Sequence, residues 1–484
     1  MSLVVKSVYS TIWTLLDIIF NKAIYFIATL FLARLLGPSE FGLIGMIMVF
    51  FTIGTALVDS GLSVSLVRTP NIDDAEYSTI FYMNLSMSMI AYLFVFLTAP
   101  FVAEFYAQPI LESLIRIYCL GFIITALRMI AQAKLVREMN FKKIAILNIP
   151  GNIVGFIVGV WMAMNGFRVW SIVGLYLSTQ IVATLMYWIF IKWRPKLVFS
   201  VEKMKYHWSF GYKLMISAQL NTVFDNIYNI LIGKLYSVQS LGYYERAYTL
   251  NNYPVSILSG IISKVSLPLL SQIAEDKQRT LKVYRKIMML SFFISAPLML
   301  GALVLAKPLF ILFLGEQWIP AVPFFQILCL AYMLYPIHSL NINILSVYGK
   351  SNLFLKLEII KKVMILILVL ISVNFGIYGL IWSSVISSVA GLFINTFYSG
   401  GLISYYTKDQ LKDIMPTLMI SIFMAIAMHF VYMLLIDYIN IIQIVVTSIL
   451  GLFVFGILSY STKNESFFNI IFLIKNKKLN DTSN

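Results

Sequence analysis

The sequence predicts an all-α polytopic membrane protein of about fourteen transmembrane helices, with two parallel six-helix repeats forming two lobes around a central cavity and two further helices at the C-terminus. Three observations carry this. Hydrophobic residues make up 60% of the chain and the mean hydropathy is +0.87, against about half apolar in soluble domains. Uncharged runs at 77–103, 144–167, 169–191, 414–436 and 438–462 exceed the roughly 20 residues a helix needs to cross the hydrocarbon core. The stretch "RLLGPSEFGLIG" from Arg34 returns in outline 200 residues later as "KLYSVQSLGYYE" from Lys234, with Gly42 and Gly242 at matching places.

Taken in order, the first apolar stretch runs on to Leu36 behind a single lysine, Lys6, without a small-residue cleavage site. It reads as a retained signal anchor, span one, near residues 10–33. Spans follow near 41–61, 78–100, 112–133, 143–165 and 170–191, then near 210–233, 244–265, 287–306, 320–348, 353–373 and 377–399. The last two are near 414–436 and 440–461. The run 363–407 holds two crossings, with a turn at Asn374–Gly376. The fourth, seventh and eighth spans carry charges and stand out least by hydropathy.

With the N-terminus in the cytoplasm, most of the 36 Lys and Arg residues fall inside, including the clusters 134–143, 192–205 and 264–286. That is the positive-inside rule, and it puts both termini in the cytoplasm. The repeated turns follow spans one and seven, an even number of crossings apart, so the two copies run parallel. Asn21/Asn221, Ile27/Ile227, Leu35/Leu235 and the two "VSL" triplets at 64–66 and 265–267 agree. The expected organisation is an N-lobe at 1–200, a C-lobe at 201–405, spans thirteen and fourteen within 406–462, and a cytoplasmic tail at 463–484. The tail sequence "SFFNIIFLIKNKK" from Ser466 mixes apolar residues with lysines and suits an amphipathic helix on an anionic leaflet.

Several classes are excluded. A membrane β-barrel would show short alternating strands instead of continuous apolar runs. The net charge of +15 is spread between spans and not gathered in one nucleic-acid-binding domain. Cys119 and Cys329 are distant and lie in apolar runs, against a disulfide framework or metal cluster. "YGKS" at Tyr348–Ser351 ends like a P-loop, but Ile344 stands where its first glycine is needed, so ATP binding is not expected. His207, His338 and His429 lack metal-ligand spacing, and no loop is large enough for a catalytic domain. A non-enzymatic protein without metal or organic cofactor is expected, with a proton or sodium gradient as its energy source.

Charged side chains at the bilayer centre cost about 2.5–3.5 kcal/mol each on insertion scales, so each is a functional candidate. Span one carries Asp17 and Asn21 at helical spacing beside Lys22. Span seven carries Lys213, Ser217, Asn221, Asp225 and Asn229 at successive i+4 positions, a slanting polar stripe expected to face protein or a water-filled cavity. Lys22, Arg116 and Lys213 are the candidate cations for an anionic substrate. Asp17, Asn21, Asn221, Asp225 and Asn229 form the candidate ion-coupling stripe, with structural pairing or snorkelling as the competing reading. Candidate gates are Asp59, for which a cap or a salt bridge to Arg68 is the competing reading, and Glu245 with Arg246 at the outer end of span eight, for which a surface pair is the competing reading. His338, after the kink expected at Pro336, is either proton-linked or a hydrogen-bonded structural residue.

The segments "LARLLGPSEFGLIGM", "VDSGLSVSLVR", "FVAEFYAQP", "KWRPKLVFS", "NIYNILIGKLYSVQSLGYYERA", "LGEQWIPAVPFFQILCLAYMLYPIHSLNINIL" and "YGKSNLFLKLEIIKK" together carry a resemblance. Across residues 32–362 the chain resembles the oligosaccharide flippases of bacterial polysaccharide biosynthesis. These form the Wzx/WzxC-like branch of the superfamily that also holds the lipid II flippase MurJ and the MATE drug exporters. The resemblance implies a MATE/MurJ-like fold and transfer of a polyprenyl-pyrophosphate oligosaccharide, an O-antigen, capsule or exopolysaccharide precursor, between leaflets of the bacterial inner membrane by ion-coupled alternating access. It also implies cavity charges, but their placement at Lys22, Arg116, Lys213 and Asp225 rests on helical spacing alone. Expected partners are the lipid-linked substrate, membrane lipids, and the glycan polymerase and chain-length machinery; nucleic acid is not one. A MATE-like exporter of small cationic or amphipathic compounds is the alternative, and a docking scaffold for polymerases a third reading.

Overall fold

A backbone in hydrocarbon finds no water to hydrogen-bond, so long apolar segments must satisfy themselves as helices. The computed structural model describes residues 23–59, 61–69 and 72–472, and among these no strand occurs. The chain divides into two compact units, Met1–Gly242 and Tyr243–Asn484.

In the first unit α1 covers Ala23–Leu35, α2 Pro38–Asp59, α3 Leu62–Arg68 and α4 Asp74–Phe105. Next come α5 (Ile110–Tyr118), α6 (Gly121–Arg137), α7 (Phe141–Met164), α8 (Trp170–Phe190), α9 (Val201–Asp225) and α10 (Ile227–Leu235). Local chemistry sets the ends. The proline that opens α2 lacks only an N–H the first turn leaves unpaired. A capping box opens α4: the Glu76 amide donates to Asp73 Oδ1 at 2.7 Å, and the Asp73 amide to Glu76 Oε2 at 3.2 Å. Helices α7 and α8 approach through Gly151, Gly155 and Gly159, where a Cβ at Gly155 would stand 1.9 Å from Thr179 Oγ1.

The repeated turns explain their shared glycine here. A Cβ on Gly42 would lie 1.9 Å from the Val238 carbonyl oxygen, and one on Gly242 would lie 1.8 Å from the Pro38 carbonyl oxygen. Each glycine sits on the first residue of the other copy's helix, so the two turns pack reciprocally. Only a residue without a side chain allows that approach.

The second unit carries most of α11 (Val238–Gln272), then α12 (Lys277–Val304), α13 (Ala306–Phe313), α14 (Val322–Tyr332), α15 (Tyr335–Val347), α16 (Ser351–Ser372), α17 (Gly376–Ile403), α18 (Thr407–Leu434) and α19 (Asn440–Ser461). Residues 465–472 are also helical. The break between α14 and α15 falls just before Pro336, where a kink is expected. Phe293 of α12, Ile420, Met424 and Met428 of α18 and Phe455 of α19 make one core. Large side chains such as Phe101, Leu434 and Leu452 remain exposed on the outward faces, which suits helices surrounded by lipid.

Among the described residues eleven segments are long and apolar enough to span a membrane. The expected count of about fourteen departs from this at three places. Ser351–Ile403 counts once, although the 3-10 turn Val373–Phe375 and Gly376, at φ 73°, divide α16 from α17. The polar helix α9 is not among the eleven. Helix α1 is shorter than a span within the described residues.

Candidate functional site

The expected polar stripe of span seven meets a break. Helix α9 ends at Asp225 and α10 starts at Ile227, with Asn226 between them in a non-helical conformation. The Asn226 amide group donates to Thr222 O at 2.8 Å and to Thr52 Oγ1 of α2 at 3.2 Å. Asn221 and Asp225 are exposed before the break, and Asn229 is buried after it. The stripe is therefore two pieces on two helices. Lys213 lies on α9, but its side chain is outside the described residues, as is that of Asp59 at the end of α2. Asp17, Asn21 and Lys22 lie outside them altogether.

Other polar side chains tie α9 and α10 along the first unit. At one end Lys203 pairs with Asp73, and His207, fully buried, places Nδ1 2.8 Å from Ser65 Oγ and Nε2 3.5 Å from Glu76 Oε1. One turn on, the Arg68 guanidinium lies 4.7 Å from the Phe210 ring centroid. Midway, Gln219 Nε2 donates to Ile53 O at 2.8 Å. At the far end Lys234 Nζ donates to Phe105 O at 2.5 Å, supplying a cation to the C-terminal carbonyls of α4. By contacts of this kind α9 and α10 are part of the first compact unit. The sequence offers His207 only as a metal ligand with unsuitable spacing, and nothing in its pattern singles out Gln219 or Asn226.

Arg116 is held locally. Its Nη1 lies 2.6 Å from Glu112 Oε1, and its guanidinium sits 4.3 Å from the Phe96 ring centroid. Arg128 of α6 differs. It lies inside the membrane span Ile110–Arg137, and its Nη2 donates to the neutral Gln180 Oε1 of α8 at 2.7 Å. Among the described residues the titratable groups that act on it are the hydroxyls of Tyr187 and Tyr176. Among the described residues no carboxylate lies within ion-pair distance of it. In the sequence it is the one charge in the apolar run 117–133, close to the basic cluster 134–143. That isolation was the available signal.

In the second unit Glu245 and Arg246 are half-buried near the start of α11. His338 of α15 joins a chain of neutral groups. Asn395 Nδ2 meets its Nδ1 at 3.2 Å, its Nε2 meets Ser388 Oγ at 3.2 Å, and Ser388 donates to Ala331 O at 2.7 Å. Nearby, buried Asn341 accepts from Tyr284 and Ser399 and donates to Gln410 Oε1. These bonds satisfy polar atoms that would otherwise destabilise a buried helix interface.

The architecture is an all-helical one with eleven segments long and apolar enough to span a membrane among the described residues. It matches the lipid II flippase MurJ in its inward closed conformation at a TM-score of 0.75 and 14% identity, over 95% of this chain and 99% of that one. An inward-facing multidrug resistance MATE family transporter of the MOP superfamily matches at 0.63 and 13% identity, over 82% and 99%. Residues 31–323 fit the Polysacc_synt_3 profile, described as polysaccharide biosynthesis protein, and the chain belongs to that family. Among its relatives, the teichuronic acid biosynthesis protein TuaB of Bacillus subtilis is 24% identical over 61% of this chain and 62% of its own length. The lipopolysaccharide biosynthesis protein WzxC of Escherichia coli is 23% identical over 75% and 74%. The succinoglycan biosynthesis transport protein ExoT of Rhizobium meliloti is 24% identical over 66% and 65%.

Proposed function

We propose that this protein is a flippase that carries a polyprenyl-pyrophosphate-linked oligosaccharide from the inner to the outer leaflet of the bacterial cytoplasmic membrane, by ion-coupled alternating access with both termini in the cytoplasm. A pyrophosphate cannot enter hydrocarbon without a compensating charge. Arg128 is the observation that carries the reading. An arginine held within a span by a neutral glutamine, with no carboxylate beside it among the described residues, keeps its charge available to an anion. Arg geometry suits phosphate oxygens, which accept its parallel N–H groups. The family membership, together with likeness to a lipopolysaccharide biosynthesis protein and a succinoglycan biosynthesis transport protein, supports the same substrate class. Asp225, exposed at the end of α9, is our candidate for the coupling ion.

Binding of a fluorescent polyprenyl-pyrophosphate oligosaccharide to purified protein tests the role of Arg128. Arg128→Gln is expected to weaken binding about tenfold or more, the value of one charge-assisted hydrogen bond. Arg128→Lys should restore part of it. Unchanged affinity in Arg128→Gln removes this residue from the substrate site.

A further inference from the structure

Helix α18 turns two different faces to its surroundings. Gln410, Ile414, Thr417, Ile420 and Met424 are buried within the second unit. The opposite face opens a groove of about 480 Å³ lined by Lys408, Leu411, Lys412, Met415, Pro416 and Met419. Lys408 and Lys412 are exposed one helical turn apart at the start of this membrane-spanning helix.

The neighbouring acids are engaged elsewhere. Asp413 accepts from Arg285 Nε at 2.5 Å and from the Tyr405 hydroxyl at 2.5 Å. Asp409 Oδ2 accepts from the Tyr406 amide at 3.3 Å. Among the described residues neither lysine has an ion-pair partner. The groove thus joins two ammoniums that have no ion-pair partner among the described residues to an apolar trough that runs on along Met415 and Met419.

We propose that this groove binds an anionic phospholipid of the surrounding bilayer, with its phosphate on Lys408 and Lys412 and an acyl chain along Met415 and Met419. The charge selects the headgroup, and the trough supplies contact that a soluble anion cannot use. The site is independent of the oligosaccharide reading.

Native mass spectrometry of the full chain tests it, with phosphatidylglycerol and phosphatidylcholine of identical acyl chains offered in equal amounts. The tightest-held lipid on the unmodified protein should be phosphatidylglycerol. Lys408→Gln with Lys412→Gln should cut that preference about thirtyfold, from two lysine contacts of about 1 kcal/mol each. Lys142→Gln with Lys143→Gln removes the same charge at the start of α7 and should leave the preference intact. Absence of a preference in the unmodified protein, or equal loss in the two double variants, overturns the site.

Discussion

His207 is fully buried, and its protonation decides how firmly α9 is held. Burial keeps the imidazole below its ordinary range, with Lys203 acting in the same direction and Glu76 against them. Asp73, paired to Lys203, and Arg68, on the Phe210 ring, are the other charges of the cluster. The docked state therefore prefers the neutral ring, whereas a solvated ring titrates at about 6.5. Docking is at full strength above that value and weakens as pH falls below it, since protonation favours release. Hydrogen exchange across residues 201–210, corrected for intrinsic rate, should show protection falling between about pH 7 and 5. His207→Gln should flatten that profile, and protection that rises on acidification contradicts this account. Arg128 teaches a related point at the same scale. A charge inside a predicted span is visible in sequence, but whether it meets an acid is decided by helices far away in the chain.

At the scale of elements, the paired turns before α2 and α11 give a sharp expectation. A methyl on Gly242 overlaps the Pro38 carbonyl, which is backbone and cannot rotate away. Gly242→Ala or Gly42→Ala should destabilise the protein by about 1–3 kcal/mol, the usual cost of overpacking, read as a lower Tm in detergent. Gly260 of α11 has open space around its Cβ position, so Gly260→Ala should be neutral or slightly stabilising through helix propensity. The reverse ranking contradicts the reciprocal packing. Sequence made the turn repeat legible because spacing survives divergence. It left the purpose of the glycines hidden, because their contacts are 200 residues apart. Apolar helices such as α18 and α19 were equally legible, since continuous hydrophobicity has one structural solution in lipid. Helix α9 was harder. Its polar residues face either protein or water, and periodicity alone does not separate Gln219 and Asn226, which bond to α2, from Asn221 and Asp225, which stay exposed. The breaks at Asn226 and between α5 and α6 contain no proline; only Asp225–Asn226 and Gly121 hint at them, and such residues also occur inside membrane helices.

Over the whole molecule, the fold and the family follow from hydropathy, repeat and segment resemblance, and the structural likeness to MurJ and a MATE transporter agrees. The proposed function draws its work from an ion gradient, in which one charge crossing 100 mV supplies about 2.3 kcal/mol. The measurement that tests the proposal most directly is leaflet transfer of a fluorescent polyprenyl-pyrophosphate oligosaccharide in proteoliposomes, under an imposed proton gradient, a sodium gradient, or neither. One gradient should accelerate transfer, and Asp225→Asn should remove that acceleration while leaving substrate binding in place. Export of a small cationic dye with no transfer of the lipid-linked glycan would contradict the account and assign the chain to drug export instead.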